Sequence, residues 1–483
     1  MGSLLNDSLV IAPELFLIVS AIILLMFGSF KVKNSAKIVV YFSIITLFFV
    51  SFLELIIPWD ISIIFNESLI ENSFSRFAKS IIFMSSAFVI ILSSRWLIRY
   101  DEKAFEYPIL ILFSSLGMAF MVSANDLITL YLAIELQSLP LYVLASFRRD
   151  NINSGEAGIK YFVLGALSSS LFLFGASLVY GFTGSVDFFE ISKVISDAEV
   201  SSGLVVGIVF ILSGLIFKIS GVPFHMWTPD VYEGSATPVT AFFATAPKMA
   251  AMCMLVNILY GPFADSFYSW QQIIIFVSIA SMALGSFAAI KQSNIKRLLA
   301  YSSIAHMGFT LIALALPLSP SNIQALLIYM LIYLVTNLGV FSCIMSLEKS
   351  EGESVDDVSD LSGISKKYPF IAFSLSIFMF SFAGIPPLAG FFGKYLIFRS
   401  AIENGLFLLA IFGLLISVIG AYYYINIVKV VYFDESNSSI TKSSSKGLNI
   451  TNIACTIFII FFIIIYTVSP IAELARLAGI SIN

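Results

Sequence analysis

Long apolar runs separated by short polar segments fill almost the whole chain. Backbone groups in lipid must be hydrogen-bonded within their own segment, so each run of about 20 apolar residues predicts a membrane-spanning helix. The pattern predicts fourteen, here called spans 1 to 14: 9–30, 38–57, 74–94, 107–123, 127–147, 159–181, 204–224, 238–259, 273–290, 298–316, 323–347, 369–398, 406–432 and 450–468. We therefore predict an all-α fold, a polytopic membrane bundle of about 14 transmembrane helices.

Two of these spans contain helix-breaking residues. Span 7 contains Gly221 and Pro223, and span 12 contains Gly384, Pro386 and Pro387. Proline removes a backbone donor and clashes with the preceding turn, so we expect helices 7 and 12 to break or kink. A packing kink explains either one alone, but two interruptions at corresponding places indicate an ion pathway between two repeats.

Matching the two breaks divides the chain into four parts. Residues 1–106 hold three leading helices, 107–260 form a first repeat (spans 4–8), 261–433 form a second repeat (spans 9–13), and 434–483 hold a trailing helix and tail. Each repeat has five helices, an odd number, so the second is inverted relative to the first. The longest polar stretches, 348–368 and 434–446, are too short for separate domains.

Basic residues are distributed unevenly between the two sets of loops. Most of the 26 Lys and Arg follow odd-numbered spans, whereas only five are assigned to the opposite side: Arg76, Lys79, Lys193, Arg399 and Arg476. Basic residues prefer cytoplasmic loops. We therefore predict a multi-pass protein of the bacterial inner (cytoplasmic) membrane, with both termini on the outer, periplasmic side.

Composition supports the membrane assignment and excludes several kinds of site. Hydrophobic residues make up 59% of the chain and charged residues 12%, against about 25% charged in soluble domains. The net charge of -4 gives no indication of a nucleic-acid partner. Three cysteines within apolar runs and two histidines predict no metal, haem or iron–sulfur site. We expect no cofactor bound by this chain.

Five titratable residues lie inside the predicted spans, where an ionisable group is costly and usually faces a partner or a water-filled path. They are Glu135, Lys218, Lys248, His306 and Lys394. A single structural ion pair is the simpler interpretation of any two of them. Five groups on five helices favour a proton relay, because burial and neighbouring charges can switch such groups between protonation states.

Other titratable residues are weaker candidates. His225 titrates near neutrality but lies towards the end of span 7, so it is a weaker relay candidate than His306. Glu14, Glu54 and Glu156 lie at or near span ends, where we expect them to reach water, and they receive no role.

Two long motifs carry a resemblance to a known family. FKISGVPFHMWTPDVYEGSATPVT (217–240) and SNIKRLLAYSSIAHMGF (293–309) resemble the antiporter-like membrane subunits of respiratory NADH:quinone oxidoreductase, complex I. Related multisubunit cation/proton antiporters share both motifs. The stretch AGIPPLAGFFGKY (383–395) resembles subunit N in particular, since subunit M typically has a glutamate where Lys394 stands and subunit L carries a long lateral C-terminal helix.

The resemblance implies a role for each relay candidate. Glu135 would pair with Lys218 and bias its proton affinity, Lys248 and His306 would continue a hydrated chain, and Lys394 would hand the proton to the far side. NADH, FMN, iron–sulfur clusters and quinone would belong to partner subunits. The implied assembly is a hetero-oligomer with other complex I membrane subunits, the antiporter-like M and K subunits as neighbours, within the lipid bilayer.

Three alternatives remain at the level of the sequence. A subunit of an Mrp-like cation/proton antiporter would use the same lysines without electron-transfer partners, and sodium dependence would identify it. A quinone-binding enzyme would be labelled by a quinone analogue. A solute transporter is the least favoured, because the midplane residues suit protons.

Overall fold

The computed structural model describes residues 7–30, 35–100, 105–197, 201–349, 354–435, 440–443 and 445–482, except the side chains of 98–100. The extreme termini, for which a membrane side is predicted, lie outside these residues. The helices are α1 Ala12–Ser29, α2 Ser35–Ile56, α3 Ser73–Tyr100, α4 Glu106–Ser123, α5 Leu127–Ala145, α6 Ile152–Thr183, α7 Phe188–Asp197, α8 Ser202–Ile219, α9 Trp227–Gly234, α10 Thr237–Phe243, α11 Ala246–Tyr260, α12 Phe267–Ala289, α13 Ile295–Leu314, α14 Pro320–Met345, α15 Pro369–Ala383, α16 Ala389–Glu403, α17 Phe407–Phe433, α18 Lys446–Val468 and α19 Ile471–Ile480.

Strands are few and short. The antiparallel pair β1 (Ser62–Ile64) and β2 (Leu69–Glu71) lies between α2 and α3, and β3 (Leu347–Glu348) pairs with β4 (Thr441–Lys442). Within the described ranges, thirteen helical stretches are long and apolar enough to cross a membrane. The broken pair α15 and α16 adds the fourteenth. The predicted all-α membrane bundle is confirmed.

Spans 7 and 12 are interrupted, as the sequence predicts. Span 7 consists of α8 and α9 with a turn at 220–226 between them, and span 12 consists of α15 and α16 with a turn at 384–388. A left-handed residue ends the first half in each case, Ser220 at φ 63° and Gly384 at φ 84°. Glycine adopts this conformation without steric cost, whereas serine does so at a cost.

The two breaks have the same backbone geometry. At the end of each first half-helix, a backbone hydrogen bond joins residues five apart and not four. These bonds run from Gly221 N–H to Ile216 O at 2.9 Å and from Ile385 N–H to Phe380 O at 3.0 Å. The peptide bonds Val222–Pro223 and Pro386–Pro387 are both cis. The matching positions share one offset of 164 residues (216 to 380, 220 to 384, 223 to 387). This correspondence is what a duplicated five-helix unit predicts.

Span 8 differs from its prediction as one continuous helix. The chain forms α10 and then α11, with Thr245 between them in a non-helical conformation (φ −120°, ψ −104°). Pro247 occupies the first turn of α11, where its missing N–H costs nothing and its fixed φ favours a helix start. The uninterrupted apolar run hid this break. Lys248 consequently lies in the first turn of α11 and not in the interior of one continuous helix.

The most buried helices lie at the centre of the bundle. In the most apolar 18-residue stretch of α10–α11, 100% of the residues are buried, and in those of α13 and α14 the share is 89%. In the corresponding stretches of α1 and α6 only 33% of the residues are buried. The outer helices therefore present apolar faces suited to lipid or to neighbouring subunits. Two relay candidates, Lys248 and His306, belong to the central helices.

The leading helices contain buried charges that the sequence did not predict. Glu14, Glu54, Arg76 and Lys79 are between 0% and 2% exposed. The expectation that the two glutamates reach water, and the assignment of Arg76 and Lys79 to an outer loop, are wrong. Both basic residues lie in the first turns of α3, where β2 and α19 pack against the helix and cover its end.

Candidate functional site

Glu135 and Lys218 each bind a serine hydroxyl group, and the Lys218 side chain reaches the helix that carries Glu135. The Glu135 carboxylate accepts a hydrogen bond from Ser169 of α6. The Lys218 ammonium donates to Ser138 Oγ at 2.8 Å. Glu135 and Ser138 are three residues apart on α5 and therefore on one face. No ion pair joins Glu135 directly to Lys218 within 4.0 Å among the described side chains, so one helical turn and a hydroxyl separate the two charges.

Lys218 and Lys248 meet at the break in span 7. Lys248 Nζ donates to the hydroxyl of Ser220, which is two residues beyond Lys218 at the end of α8. Thr228 Oγ1 also donates to Ser220 Oγ, at 2.6 Å. The Lys248 ammonium lies 5.2 Å from the ring centroid of Trp227, a cation–π contact. The broken helix thus carries Lys218 and supplies the Ser220 hydroxyl that binds Lys248.

Helix ends bias the charges of these two lysines in opposite directions. Lys218 lies in the last turn of α8, where the negative end of the helix dipole favours a cation. Lys248 lies in the first turn of α11, where the positive end disfavours a cation. A proton that passes between them therefore moves between a site that favours the charge and one that does not.

His306 on α13 is held by hydrogen bonds on both ring nitrogens. Its Nδ1 is 2.7 Å from the Tyr329 hydroxyl and its Nε2 is 3.0 Å from the Tyr424 hydroxyl. Tyr424 OH is in turn 2.5 Å from Ser302 Oγ. A neutral imidazole has one donor and one acceptor nitrogen, and a hydroxyl can serve either. This arrangement allows a proton to enter at one ring nitrogen and leave from the other.

Lys394 sits against the end of the other broken half-helix. Its Nζ donates to Phe382 O at 2.9 Å and Ala383 O at 3.2 Å, the last carbonyls of α15, and to Ser417 Oγ of α17 at 2.8 Å. It also lies 4.9 Å from the ring centroid of Phe309. Unsatisfied carbonyls at a helix end carry partial negative charge, which favours the ammonium form.

A small cavity joins His306 to Lys394. It measures about 10 Å³, room for about one water molecule, and both side chains line it together with Tyr329, Tyr333 and Ser381. A groove of about 600 Å³ is also lined by Lys394 and extends to Arg399 and Glu403, which form an exposed ion pair at 2.7 Å. Lys394 therefore lines both the small cavity and the groove.

The hydrogen-bond partners of Lys248 and His306 do not overlap. Tyr333 lies with its ring centroid 5.3 Å from that of His306 and donates to Ser303 Oγ at 2.7 Å. The Tyr232 ring centroid is 6.4 Å from that of Trp227. The Tyr232 hydroxyl has no hydrogen-bond partner within the described part of the chain, although it lies within electrostatic range of Tyr333 and Ser303. Among the described residues, no side-chain hydrogen bond joins the groups around Lys248 to those around His306.

His225 remains apart from both of these groups. It lies half-buried in the turn at 220–226, and its Nδ1 has no hydrogen-bond partner among the described residues. Gly221 and Pro223 of the same turn shape the helix break without contacting a proton carrier. No group of three or more His, Cys, Asp or Glu side chains within the described ranges is placed to hold a metal ion.

The partners of the titratable residues escaped the sequence analysis. Their side-chain partners are hydroxyl groups, buried except for the half-buried Ser417: Ser138, Ser169, Ser220, Thr228, Ser302, Tyr329, Tyr424 and Ser417. One signal was available, because α14 places buried Tyr329, Tyr333, Thr336 and Asn337 at helical spacing in an otherwise apolar run. Counting only ionisable residues overlooked that polar stripe.

A second charge network connects the two predicted repeats. Asp230 on α9 accepts from Lys160 Nζ on α6 and from Arg297 on α13, both at 2.7 Å. Arg297 also donates to Glu233 at 2.9 Å. Burial raises the pKa of Asp230, but the hydrogen bonds from Lys160 and Arg297 outweigh it and hold that pKa below its usual value. The network joins α9, which follows the break in span 7, to α6 and α13.

Asp230→Asn should destabilise the protein at neutral pH by about 1 kcal/mol, a modest amount because Asp230 is 33% exposed and water screens its charge. A carboxyl with a lowered pKa stabilises the fold above its unfolded pKa of about 4. That stabilisation is lost as pH falls through the folded pKa.

Thermal unfolding in detergent should therefore separate the variant from the parent at pH 7, and the gap should shrink in acid. Lys291→Ala, a change at an exposed surface lysine, is the control. A gap that stays constant down to acid pH would contradict an ionic role for Asp230.

Residues 124–420 match the family model described as NADH:quinone oxidoreductase/Mrp antiporter, TM. The chain is 49% identical to NADH-quinone oxidoreductase subunit N of Parvibaculum lavamentivorans, over 94% of this chain and 93% of that protein. It is 50% identical to subunit N 1 of Rhizobium meliloti, over 90% of each chain.

Solved structures agree with this assignment. The fold matches a chain of respiratory complex I from Thermus thermophilus with a TM-score of 0.82 and 28% identity, covering 96% of this chain and 99% of that one. A chain of the Mrp complex from Dietzia matches with a TM-score of 0.83, covering 98% and 97%, but at 19% identity shows a shared fold alone. The chain therefore belongs to the NADH-quinone oxidoreductase subunit N family, within the antiporter-like membrane proteins.

Proposed function

We propose that this chain is a proton-translocating membrane subunit of an NADH-quinone oxidoreductase and carries no redox centre of its own. Relatives about half identical over nearly their whole length bear the name subunit N. NADH, FMN, iron–sulfur clusters and quinone would be bound by partner subunits. This chain would move protons in response to their electron transfer.

The observation that carries the proposal is the placement of buried lysines at broken helix ends. Lys218 lies in the last turn before the break in span 7, Lys248 donates to Ser220 at that break, and Lys394 caps the carbonyls of the break in span 12. Charged groups inside a membrane are costly and mark proton or ion paths. Structural ion pairs would require carboxylate partners, and among the described side chains none contacts these three lysines within 4.0 Å.

In the proposed relay, Glu135 stabilises the charged form of Lys218 across the Ser138 turn. Lys248 takes the proton at a site that disfavours the charge, His306 passes it between its two tyrosine partners, and Lys394 releases it through the open groove. Moving one charge against the membrane potential costs roughly 2.3 kcal/mol per 100 mV. The relay must therefore be interrupted at rest, and the missing side-chain hydrogen bond between the Lys248 and His306 groups of the described chain would supply such an interruption.

The same proposal includes the division of the chain into repeats, its orientation in the membrane and its partner subunits. The four-part division into three leading helices, two inverted repeats and a trailing helix gives each repeat one broken helix. The bias of basic residues supports the inner membrane of a bacterium with both termini on the periplasmic side. The exposed apolar faces of the outer helices suit a hetero-oligomer in which M- and K-type subunits are neighbours.

The Mrp-like antiporter remains the second candidate because the fold is shared. The comparison favours subunit N by identity, since the named subunit N relatives are 46–50% identical and the Mrp chain is 19% identical. A quinone-binding enzyme receives no comparable support from any of these similarities.

A native gel of mildly solubilised membranes tests the proposal. The gel should be probed for this chain and stained for NADH dehydrogenase activity. We expect both signals in one large species. Migration of the chain in a separate species without NADH oxidation would overturn the assignment and favour the antiporter, whose sodium dependence could then be measured.

A further inference from the structure

Five charged side chains are buried together in the leading helices, outside the proposed relay. Each is at most 2% exposed: Glu14 of α1, Glu54 of α2, Glu71 of β2, and Arg76 and Lys79 of α3. They come from four different elements, so the fold, and not local sequence, brings them together. Buried charges normally occur in compensated sets.

One half of the cluster is well supplied with hydrogen bonds. Lys79 Nζ donates to carboxylate oxygens of both Glu14 and Glu71. Glu71 also accepts from Ser123 Oγ at 2.7 Å and from Ser75 Oγ at 2.9 Å. Three donors to one carboxylate favour its ionised form.

The other half is incomplete. Arg76 NH1 donates to Glu54 Oε2 at 3.0 Å, and Arg76 NH2 donates to Val10 O at 3.3 Å. Glu54 Oε1 and Arg76 Nε are both buried and have no hydrogen-bond partner among the described residues. An ionised carboxylate with an unsatisfied buried oxygen is costly, whereas a protonated carboxyl group costs much less.

The charges of the cluster do not balance when all five groups are ionised. Glu54 has Glu14, Glu71, Lys79 and Arg76 within electrostatic range, and these five groups comprise three acids and two bases. One uncompensated negative charge would therefore remain in an interior that hydrates it poorly. One bound proton would remove it.

We propose that this cluster is a proton-binding site in which Glu54 retains a proton while Glu14 and Glu71 are ionised. The chain then carries a titratable site in its leading helices, apart from the lysine and histidine groups of the relay. The inference rests on the geometry of the cluster alone and does not depend on the proposed function.

Neighbouring elements close the site. Ser481, just beyond α19, accepts at Oγ from Phe74 N–H at 3.0 Å and at its carbonyl from Asn72 Nδ2 at 3.4 Å. Trp59 Nε1 donates to the Glu54 carbonyl at 3.1 Å. These contacts fix α19 and the β1–β2 segment over the start of α3, so the bound proton should exchange with solvent more slowly than one on an exposed carboxyl group.

Infrared spectroscopy tests the proposal directly. The membrane complex that co-purifies with the chain should be compared at pH 7 as parent and as Glu54→Gln, with and without ¹³C-labelled glutamate. The parent-minus-variant spectrum should show the loss of one protonated-carboxyl C=O band per chain, sensitive to the label. The exposed Glu473→Gln is the matched control and should lose none, because Glu473 is paired with Arg476 at the surface.

A second variant keeps the test independent of the folding of the first. Glu14→Gln removes one negative charge and leaves Glu54 in place, so the cluster no longer needs the proton and the same band should disappear. An unchanged protonated-carboxyl band in both variants would overturn the proposal. So would stabilisation of the parent by Na⁺ relative to choline that is absent in Glu54→Gln, since it would show a metal cation in place of the proton.

Discussion

Replacement of Lys394 by alanine should reduce NADH-driven proton translocation by at least about tenfold. Positioned acid–base groups contribute about 10²–10⁴ to proton transfer, and water entering the emptied space would restore part of that. Lys394 is the group that contacts both the cavity shared with His306 and the open groove. Without Lys394, proton transfer from the cavity to the groove should be slowed, while the NADH-oxidising part of the complex stays intact.

The experiment is a fluorescence measurement of proton uptake by proteoliposomes that contain the purified complex, normalised to NADH oxidation with an artificial acceptor. Lys394→Arg separates charge from titration, because arginine keeps the positive charge and does not release its proton at working pH. We expect both Lys394 variants to fail and the surface variant Lys291→Ala to pump normally. Normal pumping by Lys394→Arg would show that only the charge matters and would remove Lys394 from the relay.

The sequence predicted the helices and two of the breaks because both depend on local composition. The apolar runs specify membrane spans, and Gly384 with Pro386 and Pro387 interrupts span 12 by removing backbone donors. The missed break at Thr245 lies in an apolar run that contains Pro247. From sequence alone, that proline is equally consistent with a kink inside one helix and with the start of a second helix, and only the packing of the fold decides between the two.

The sequence identified the charged residues of the candidate site but not the side chains that contact them. Lys218, Lys248 and Lys394 stand out because basic residues are rare in membrane spans. Serine and tyrosine are common there, so Ser138 or Ser220 carries no signal until the fold brings it to a lysine. The cluster around Lys79 was missed because α19, distant in sequence, packs with the adjacent β2 over what composition places at a helix end.

The 164-residue offset also explains why the lysines are not interchangeable. The position 164 residues before Lys394 is Asp230, a surface carboxylate paired with Lys160 and Arg297. The position 164 residues after Lys218 is Phe382, whose carbonyl accepts from Lys394. The two predicted repeats therefore have a common break but place the lysine on opposite sides of it. We expect such copies of one backbone to serve different ends of the proposed proton path.

Lys218→Ala should depress proton pumping coupled to NADH oxidation, and Glu135→Gln should depress it less. In the proposed relay Lys218 would carry the proton, whereas Glu135 would only bias the charge from the helical turn that holds Ser138. Groups that act as one unit give non-additive losses. We therefore expect the double variant to pump no worse than Lys218→Ala alone, measured as proton uptake normalised to electron transfer in the same proteoliposomes.

The double variant decides between a functional unit and two unrelated buried charges. If Glu135 acted elsewhere, for instance only as the acceptor for Ser169, its loss would add to that of Lys218 and the double variant would pump less than either single variant. Ser169→Ala is the matched control, since it removes the hydrogen bond to Glu135 and keeps the carboxylate. Unchanged pumping in Lys218→Ala would remove Lys218 from the proposed relay, because protons would then reach Lys248 without it.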